Sequence, residues 1–369
     1  MIKTLDRYIL RAFLTNYLIA MGVLIGLYII LDLFVNLDEF TKIQSDSMFQ
    51  KIAKVLDFYG HNLFLYFAQL AGVITLAAGC FTLGRFHRTN ELTAILASGT
   101  SLYRVAAPIL VAGLSLNVLW FVDQEFVIPS IAEKLARKHG DTEGKASFAI
   151  WFVPDAQYGN ALISAMAFNP RAREMRNVVI LKRDADNRMI GAIRADQAQW
   201  DEERQVWHLR NGTELALGDA SDTGVDESLL GRTPVTEYVS RVTPRELAIQ
   251  QSAQWTNFLS LANLDRLQKY YASSGNSEFI RVKHTRLTTI LMNMGLLCLG
   301  IPFFLNRERP SIYVLSGKCM LACSLCYVMT FMCNSIDGSA FGVSPALLPW
   351  IPVVIFGPIV MLLLDGIKT

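Results

Sequence analysis

The chain has 369 residues, 52% of them hydrophobic and 18% charged, with a formal net charge of +2 at pH 7. A mean hydropathy of +0.32 is too apolar for an ordinary soluble protein, and the charged fraction is too high for a chain made only of membrane spans. The near-neutral balance says little about partners, because the charges are segregated along the chain; no nucleic acid is expected.

From the N-terminus, Ile2, Leu5, Ile9 and Leu10 alternate with Lys3, Arg7 and Arg11, which suits an interfacial helix leading into a span. The apolar run 13–35 follows. It exceeds the roughly 7–15 residues of a signal-peptide core and lacks a small-x-small cleavage site, so it reads as a retained span. Asp32 near its end is an intramembrane acid, a functional candidate by default, or else a wet interfacial residue. A second span is expected over 63–83 and a third over 105–127, each close to the length needed to cross roughly 30 Å of hydrocarbon.

Between these two spans lies RTNELTAILASGTSLYRV, residues 88–105. Thr89 or Asn90 offers a cap, Glu91 sits in the first turn, and Gly99 offers a stop. Leu92, Ile95 and Leu96 recur at helical spacing, so a short amphipathic helix is predicted over 89–98. Such order in a loop has two readings. The helix docks on a soluble partner with Glu91 facing a basic residue there, or it rests on the bilayer while Glu91 complements the helix dipole.

An insertion of about 150 residues follows the third span. Runs 177–182 and 188–195, separated by turn-forming residues 184–187, read as strands, and so does 206–209, which follows Trp200 after a polar turn. Asn211-Gly212 is a hairpin signal. Many short strands at close intervals favour a sandwich, a jelly roll or an open barrel. Val178, Ile180, Ile190 and Ile193 are candidates to line an apolar groove, the alternative being a closed core. Helical punctuation returns over 256–271. Three further spans are expected over 287–305, 314–333 and 350–364, the last broken by Pro352 and Pro358, as membrane helices tolerate.

The fold class is therefore a polytopic α-helical membrane protein with six transmembrane helices and an inserted all-β domain. The parts are 1–129 for the N-terminal membrane segment, 130–280 for the insertion and 281–369 for the C-terminal membrane segment. Basic residues set the orientation: Lys3, Arg7, Arg11, Arg85, Arg88, Arg104, Arg307, Arg309, Lys318 and Lys368 fall on one side, against Lys42, Lys51 and Lys54 in the short loops of the other. Both termini and the 89–98 helix are expected in the cytoplasm and the β domain in the periplasm or exterior.

Catalytic signatures are missing from the chain. His61, His87, His139, His208 and His284 are scattered, and neither an H-E-x-x-H nor a G-x-S-x-G occurs. Gly317-Lys318 lacks the upstream glycine of a P-loop, so the chain is not an ATPase through that motif, and energy for any work it does comes from elsewhere. Cys319, Cys323 and Cys326 share a helix face, which fits either a metal or redox cluster or, preferably, small polarizable residues packed between membrane helices. Neither metal nor cofactor is expected.

GRFHRTNELTAILASGTSLYRVAAPIL resembles the second-to-third-span loop of the LptF/LptG permeases of the lipopolysaccharide export ABC transporter. Its R-x-N-E-L-x-A pattern falls on Arg88, Asn90, Glu91, Leu92 and Ala94, followed by Ser98-Gly99. ADQAQWDEERQVWHLRNG is similar to the tryptophan and L-x-N-G segment of that family's periplasmic domain, and LLPWIPVVIFGPIVMLLL to its last span. The resemblance implies a β-jellyroll-like periplasmic domain, an LptB-like ATPase dimer that uses the ATP, and a second LptF/LptG-type permease. It also implies LptC/LptA-like jellyroll proteins that receive lipopolysaccharide or a related lipid from the inner membrane. The segment with Arg88, Asn90, Glu91, Leu92, Ala94, Ile95 and Gly99 would be the coupling helix on the ATPase. Family members carry basic residues at the outer end of the first span; here Asp32, Asp38 and Glu39 stand there, with Lys42 the nearest cation. Arg281, Lys283, His284 and Arg286 are the alternative cations for anionic head groups, unless they snorkel to ordinary lipid phosphates. A membrane-embedded enzyme, or a scaffold acting on envelope lipids, is the competing reading.

Overall fold

The computed structural model describes residues 4–41, 48–137, 146–155, 161–184, 186, 188–216, 232–250, 252, 255–270, 277–305, 311–336 and 343–366. Among the described residues, six helices are long and apolar enough to cross a membrane. The first, α1 (Thr4–Val35), runs without a break from the amphipathic N-terminal segment into its span. A short α2 (Leu37–Thr41) follows. The second spanning helix, α3 (Met48–Arg88), has 41 residues and is far longer than the apolar run within it. At 1.5 Å per residue it measures roughly 60 Å, about twice the hydrocarbon thickness. Lys51, Lys54, Asp57 and His61 conceal its first half from any reading based on hydropathy.

After α4 (Glu91–Ala97), the third spanning run comprises α5 (Leu102–Val122), a π turn (Asp123–Val127) and α6 (Ile128–Leu135). Pro129, in the first turn of α6, has no N–H to contribute to the helical ladder. The remaining spans are α9 (Ser277–Phe304), α10 (Ile312–Ser335) and α11 (Ile351–Asp365). Helices α3 and α9 are central: α1 packs on α3, α3 on α9, and α9 on α10 and α11. Half of the apolar window of α9 is buried within the chain, against 11% for α1 and 22% for the α10 span, so α1 and α10 keep most of their apolar surface for lipid or protein neighbours. Small residues allow the central helices to approach closely. A Cβ on Gly72 would lie 2.3 Å from Asn293 Oδ1, and one on Gly113 would lie 2.5 Å from a Leu297 methyl.

The insertion forms one antiparallel sheet of β1 (Phe148–Asp155), β2 (Ala161–Asn169), β3 (Glu174–Arg183), β4 (Met189–Asp201), β5 (Val206–Arg210), β6 (Thr213–Ala216), β7 (Arg232–Pro234) and β8 (Glu237–Val239). Its main path is β1-β2-β3-β4-β5-β8, with β6 bridging β4 and β7. Asn211-Gly212 is not a hairpin turn. Strands β5 and β6 both pair with β4, as Gln197↔Arg210 and Arg194↔Thr213, so the register runs straight through Gly212. The hairpin turn lies instead between Asp201 and Val206, where Gln205 takes φ 55° and Asp201 Oδ1 accepts from the backbone N–H groups of Glu203 and Arg204. Gly212 is needed for another reason: a Cβ there would meet the Val235 carbonyl oxygen at 2.1 Å.

Rows of buried side chains cross the sheet in register: Ile163, Ile180 and Ile193; Ala165, Val178 and Ala195; Phe168, Met175, Ala198 and Leu209. Trp200, Trp207 and Tyr238 form the last row, the two indoles 5.0 Å apart. The helix α7 (Pro244–Ile249) adds Leu247 and Ala248 to this core and begins with a capping box between Thr243 and Glu246. A 3-10 turn (Trp255–Phe258) and α8 (Leu261–Tyr270) then lead back to α9.

Candidate functional site

At one end of the bundle, α4 has seven residues, too few to be stable alone, so its position depends on what it touches. Leu92, 2% exposed, inserts into the core that contains Ile9, Phe86 and Leu102, and Ile95 and Leu96 pack beside it. Asn90 precedes the helix at φ 57° without a side-chain cap, and Gly99 ends it at φ 78°. Glu91 is held from two sides. The Thr89 hydroxyl lies 2.9 Å from its Oε1, and the Tyr8 hydroxyl donates to its Oε2 at 2.7 Å. The Tyr8 ring stacks on Phe86 with centroids 5.8 Å apart. The Tyr8 bond therefore ties the N-terminal turns of α1 to the start of α4. Arg88, Asn90 and Ala94 are exposed around this anchored core, while Glu91 and Ile95 are half-buried. Sequence reading found α4 but missed Tyr8, whose partner lies 83 residues away; the only local signal was the amphipathic segment in which it sits.

At the opposite end, where the β domain joins the bundle, the cations of α9 separate. Arg286 is 6% exposed. Its guanidinium donates to the carbonyls of Leu259 and Asn257 and faces Glu125 Oε2 at 3.5 Å. Both Glu125 oxygens in turn accept from the Leu261 N–H at 3.0 Å. Arg286 is thus a structural clamp between the π turn, the 3-10 turn and α9, and as a head-group cation it is corrected. Lys283 pairs with Asp265 at 2.6 Å and Arg281 is half-buried. His284 Nδ1 accepts from Trp350 Nε1 at 3.2 Å. Residues at 281, 283, 284 and 286 spread around a helix by 100° steps, so one open patch cannot hold all four. Lys42 lies outside the described residues. Asp32 is bound between α1 and α3, accepting from the Tyr59 hydroxyl at 2.9 Å and from Asn36 Nδ2 at 3.1 Å.

Of the candidate lining residues, Val178, Ile180 and Ile193 are at most 2% exposed on the inner face of the sheet. Ile190 is 48% exposed. It stands at the register shift between Gly191 and Met189, where the pairing of β4 with β3 is irregular, and so falls outside the buried row that holds Ile193. The thiols of Cys80 and Cys319 lie 3.5 Å apart between α3 and α10, with Cys323 4.0 Å further along α10.

Among the described residues, a bundle of six apolar helices, with an antiparallel β domain between the third and fourth and an anchored short helix between the second and third, defines a polytopic membrane protein with an inserted β domain. The family model described as lipopolysaccharide export system permease LptF/LptG matches residues 7–365, nearly the whole chain, and the chain belongs to that family. It is accordingly a multi-pass inner-membrane protein and a component of a transporter. None of the curated proteins compared with it matches.

Proposed function

We propose that this chain is one permease half of an ABC exporter that draws lipopolysaccharide or a related envelope lipid out of the inner membrane. A second LptF/LptG-type permease completes the conduit, an LptB-like ATPase dimer supplies the energy, and LptC/LptA-like jellyroll proteins receive the lipid. In this reading the end bearing α4 is cytoplasmic, and 130–280 is a periplasmic jellyroll-like unit whose inner face carries Val178, Ile180 and Ile193. The observation that supports it best is the construction of α4: Leu92 and the Tyr8–Glu91 bond secure one side, and Arg88, Asn90 and Ala94 are exposed. A secured helix passes displacement from a closing ATPase to α1, whereas a slack loop absorbs it. Moving acyl chains through water exposes apolar surface at about 25 cal/mol per Å², which a continuous apolar route avoids. Arg281 and Lys283 are the remaining described candidates for anionic head groups.

Glu91→Lys tests the assignment, since it places a cation where a basic group of the ATPase is expected to sit. The variant should insert and fold normally, lose co-purification with the ATPase, and abolish lipid release. Normal co-purification with full lipid release would remove Glu91 as the contact with the ATPase.

A further inference from the structure

The seam between the sheet and the bundle is incompletely filled. On one side lies the core of the β domain, which includes Val153, Val242 and Leu247. On the other, Ala132 of α6 and Phe258 pack with Leu65 and Ala68 of α3. Between them is a cavity of about 380 Å³, walled by Val153, Val242, Ala132, Ile249, Trp255 and Phe258. Folded interiors leave few voids larger than a water molecule, and this one falls in the size range of small-ligand pockets. Its aromatic wall is braced from behind, because Trp255 packs edge-on against Phe279 of α9 with centroids 5.7 Å apart.

The charge at its rim is unbalanced. Arg245 of α7 and Arg266 of α8 both line the cavity. Arg245 donates to the carbonyls of Pro129 and Ser130 at 3.2 and 3.4 Å, and it makes no ion pair among the described residues. Arg266 makes neither a hydrogen bond nor an ion pair among them. The one acid of the rim, Glu246, is engaged in the capping box with Thr243. Burial raises its carboxyl above the ordinary range, while the Thr243 N–H and the charge of Arg266 act against the rise. Two guanidiniums facing one carboxylate leave a positive charge over at the mouth of an apolar cavity.

We propose that this seam is a binding site for a small apolar carboxylate, its anionic end held by Arg245 and Arg266 and its aryl or short alkyl body against Trp255 and Phe258. A guanidinium fork matches a carboxylate in shape, and such charge-assisted bonds are roughly twice as strong as neutral ones. One negative charge balances the rim, whereas a phosphate monoester at about −1.5 to −2 overshoots it. The cavity is too small for a lipid with several acyl chains, and the ligand enters past Arg245, Glu246 and Arg266, which are exposed. Once seated, it touches α6 on one side and β1 on the other, and so ties the β domain to the bundle. The site is independent of the ATPase reading.

The test uses the full chain in phosphatidylcholine nanodiscs with two photoactivatable probes, a trifluoromethyl-diazirinyl benzoate and the corresponding benzyl alcohol. Peptide mass spectrometry should find adducts on residues 129–132, 242–250 and 255–267, about tenfold more with the benzoate. Arg266→Gln should shrink that preference, and Arg245→Gln/Arg266→Gln should bring the probes to parity at unchanged helicity and elution. Asn263→Trp fills the cavity from α8 and should remove both sets of adducts. In the wild type, unlabelled benzoate should compete and benzamide should not, a readout that needs no variant. Equal labelling of the wild type by both probes overturns the proposal, as does a preference that survives in the double variant. Displacement of the benzoate by excess lipopolysaccharide overturns it too, because the cavity would then belong to the route of the lipid; retention upholds a separate small-ligand site.

Discussion

Leu92→Ala should release α4 from the bundle while leaving its exposed face intact. Leu92 is 2% exposed and buried among Ile9, Phe86 and Leu102, whereas the other contacts of α4 are half-buried side chains. Truncating a buried leucine costs about 2–5 kcal/mol. A helix open to solvent on one side relaxes more easily than a closed core, so the lower part of that range applies, about 2–3 kcal/mol. Each 1.4 kcal/mol is a factor of ten, and the detached population should rise roughly 30- to 150-fold. Hydrogen exchange reads this directly at the amides of Ala94, Ser98 and Gly99, which donate to Asn90, Ala94 and Leu96 at 3.0–3.2 Å. Their exchange should accelerate by that factor in the variant, with amides in the centre of α3 unchanged. ATP hydrolysis by the assembled exporter should then lose its response to lipid. Unaltered protection at these three amides would refute the argument, because it would mean that α4 is held by something other than Leu92.

Three further outcomes follow from the same structure. Gly72→Ala drives a methyl into Asn293 Oδ1 and disturbs the buried bond from Asn293 Nδ2 to Asn117 Oδ1 at 3.2 Å; thermal melting in detergent should show a loss of about 2–4 kcal/mol, largely recovered in the double variant Gly72→Ala/Asn293→Ala. Arg286→Met strips the donors from the Asn257 and Leu259 carbonyls and leaves Glu125 without its cation, so stability should fall by about 3–5 kcal/mol, and Arg286→Lys should recover only part because an ammonium lacks the planar fork. Asp201 has its carboxyl held below the usual 3.8 by the Arg204 N–H and by His208. A depressed folded-state value means that its stabilisation is present above about pH 4 and disappears as pH falls through the folded value. Asp201→Ala should therefore lower the melting temperature at pH 7 and make no difference at the acid end.

The membrane architecture was legible in the chain because hydrocarbon about 30 Å thick demands long apolar runs wherever the chain crosses it. The same locality revealed the 89–98 helix through Leu92, Ile95, Leu96 and the stop at Gly99, and it revealed strands of the insertion through β-rich runs bounded by turn-forming residues. Three-dimensional contact decided everything that joins one element to another. Tyr8 meets Glu91 across 83 residues, and nothing in the pattern of either segment encodes the other. Arg286 reads as an open cation beside Arg281 and Lys283, yet burial against two backbone carbonyls makes it a clamp. Asn211-Gly212 carries the composition of a turn, but pairing of both β5 and β6 with β4 makes it a point on one continuous edge. Periodicity reports which side of an element is apolar; which surface that side meets is a property of the assembled chain, where each contact depends on the positions of all the others.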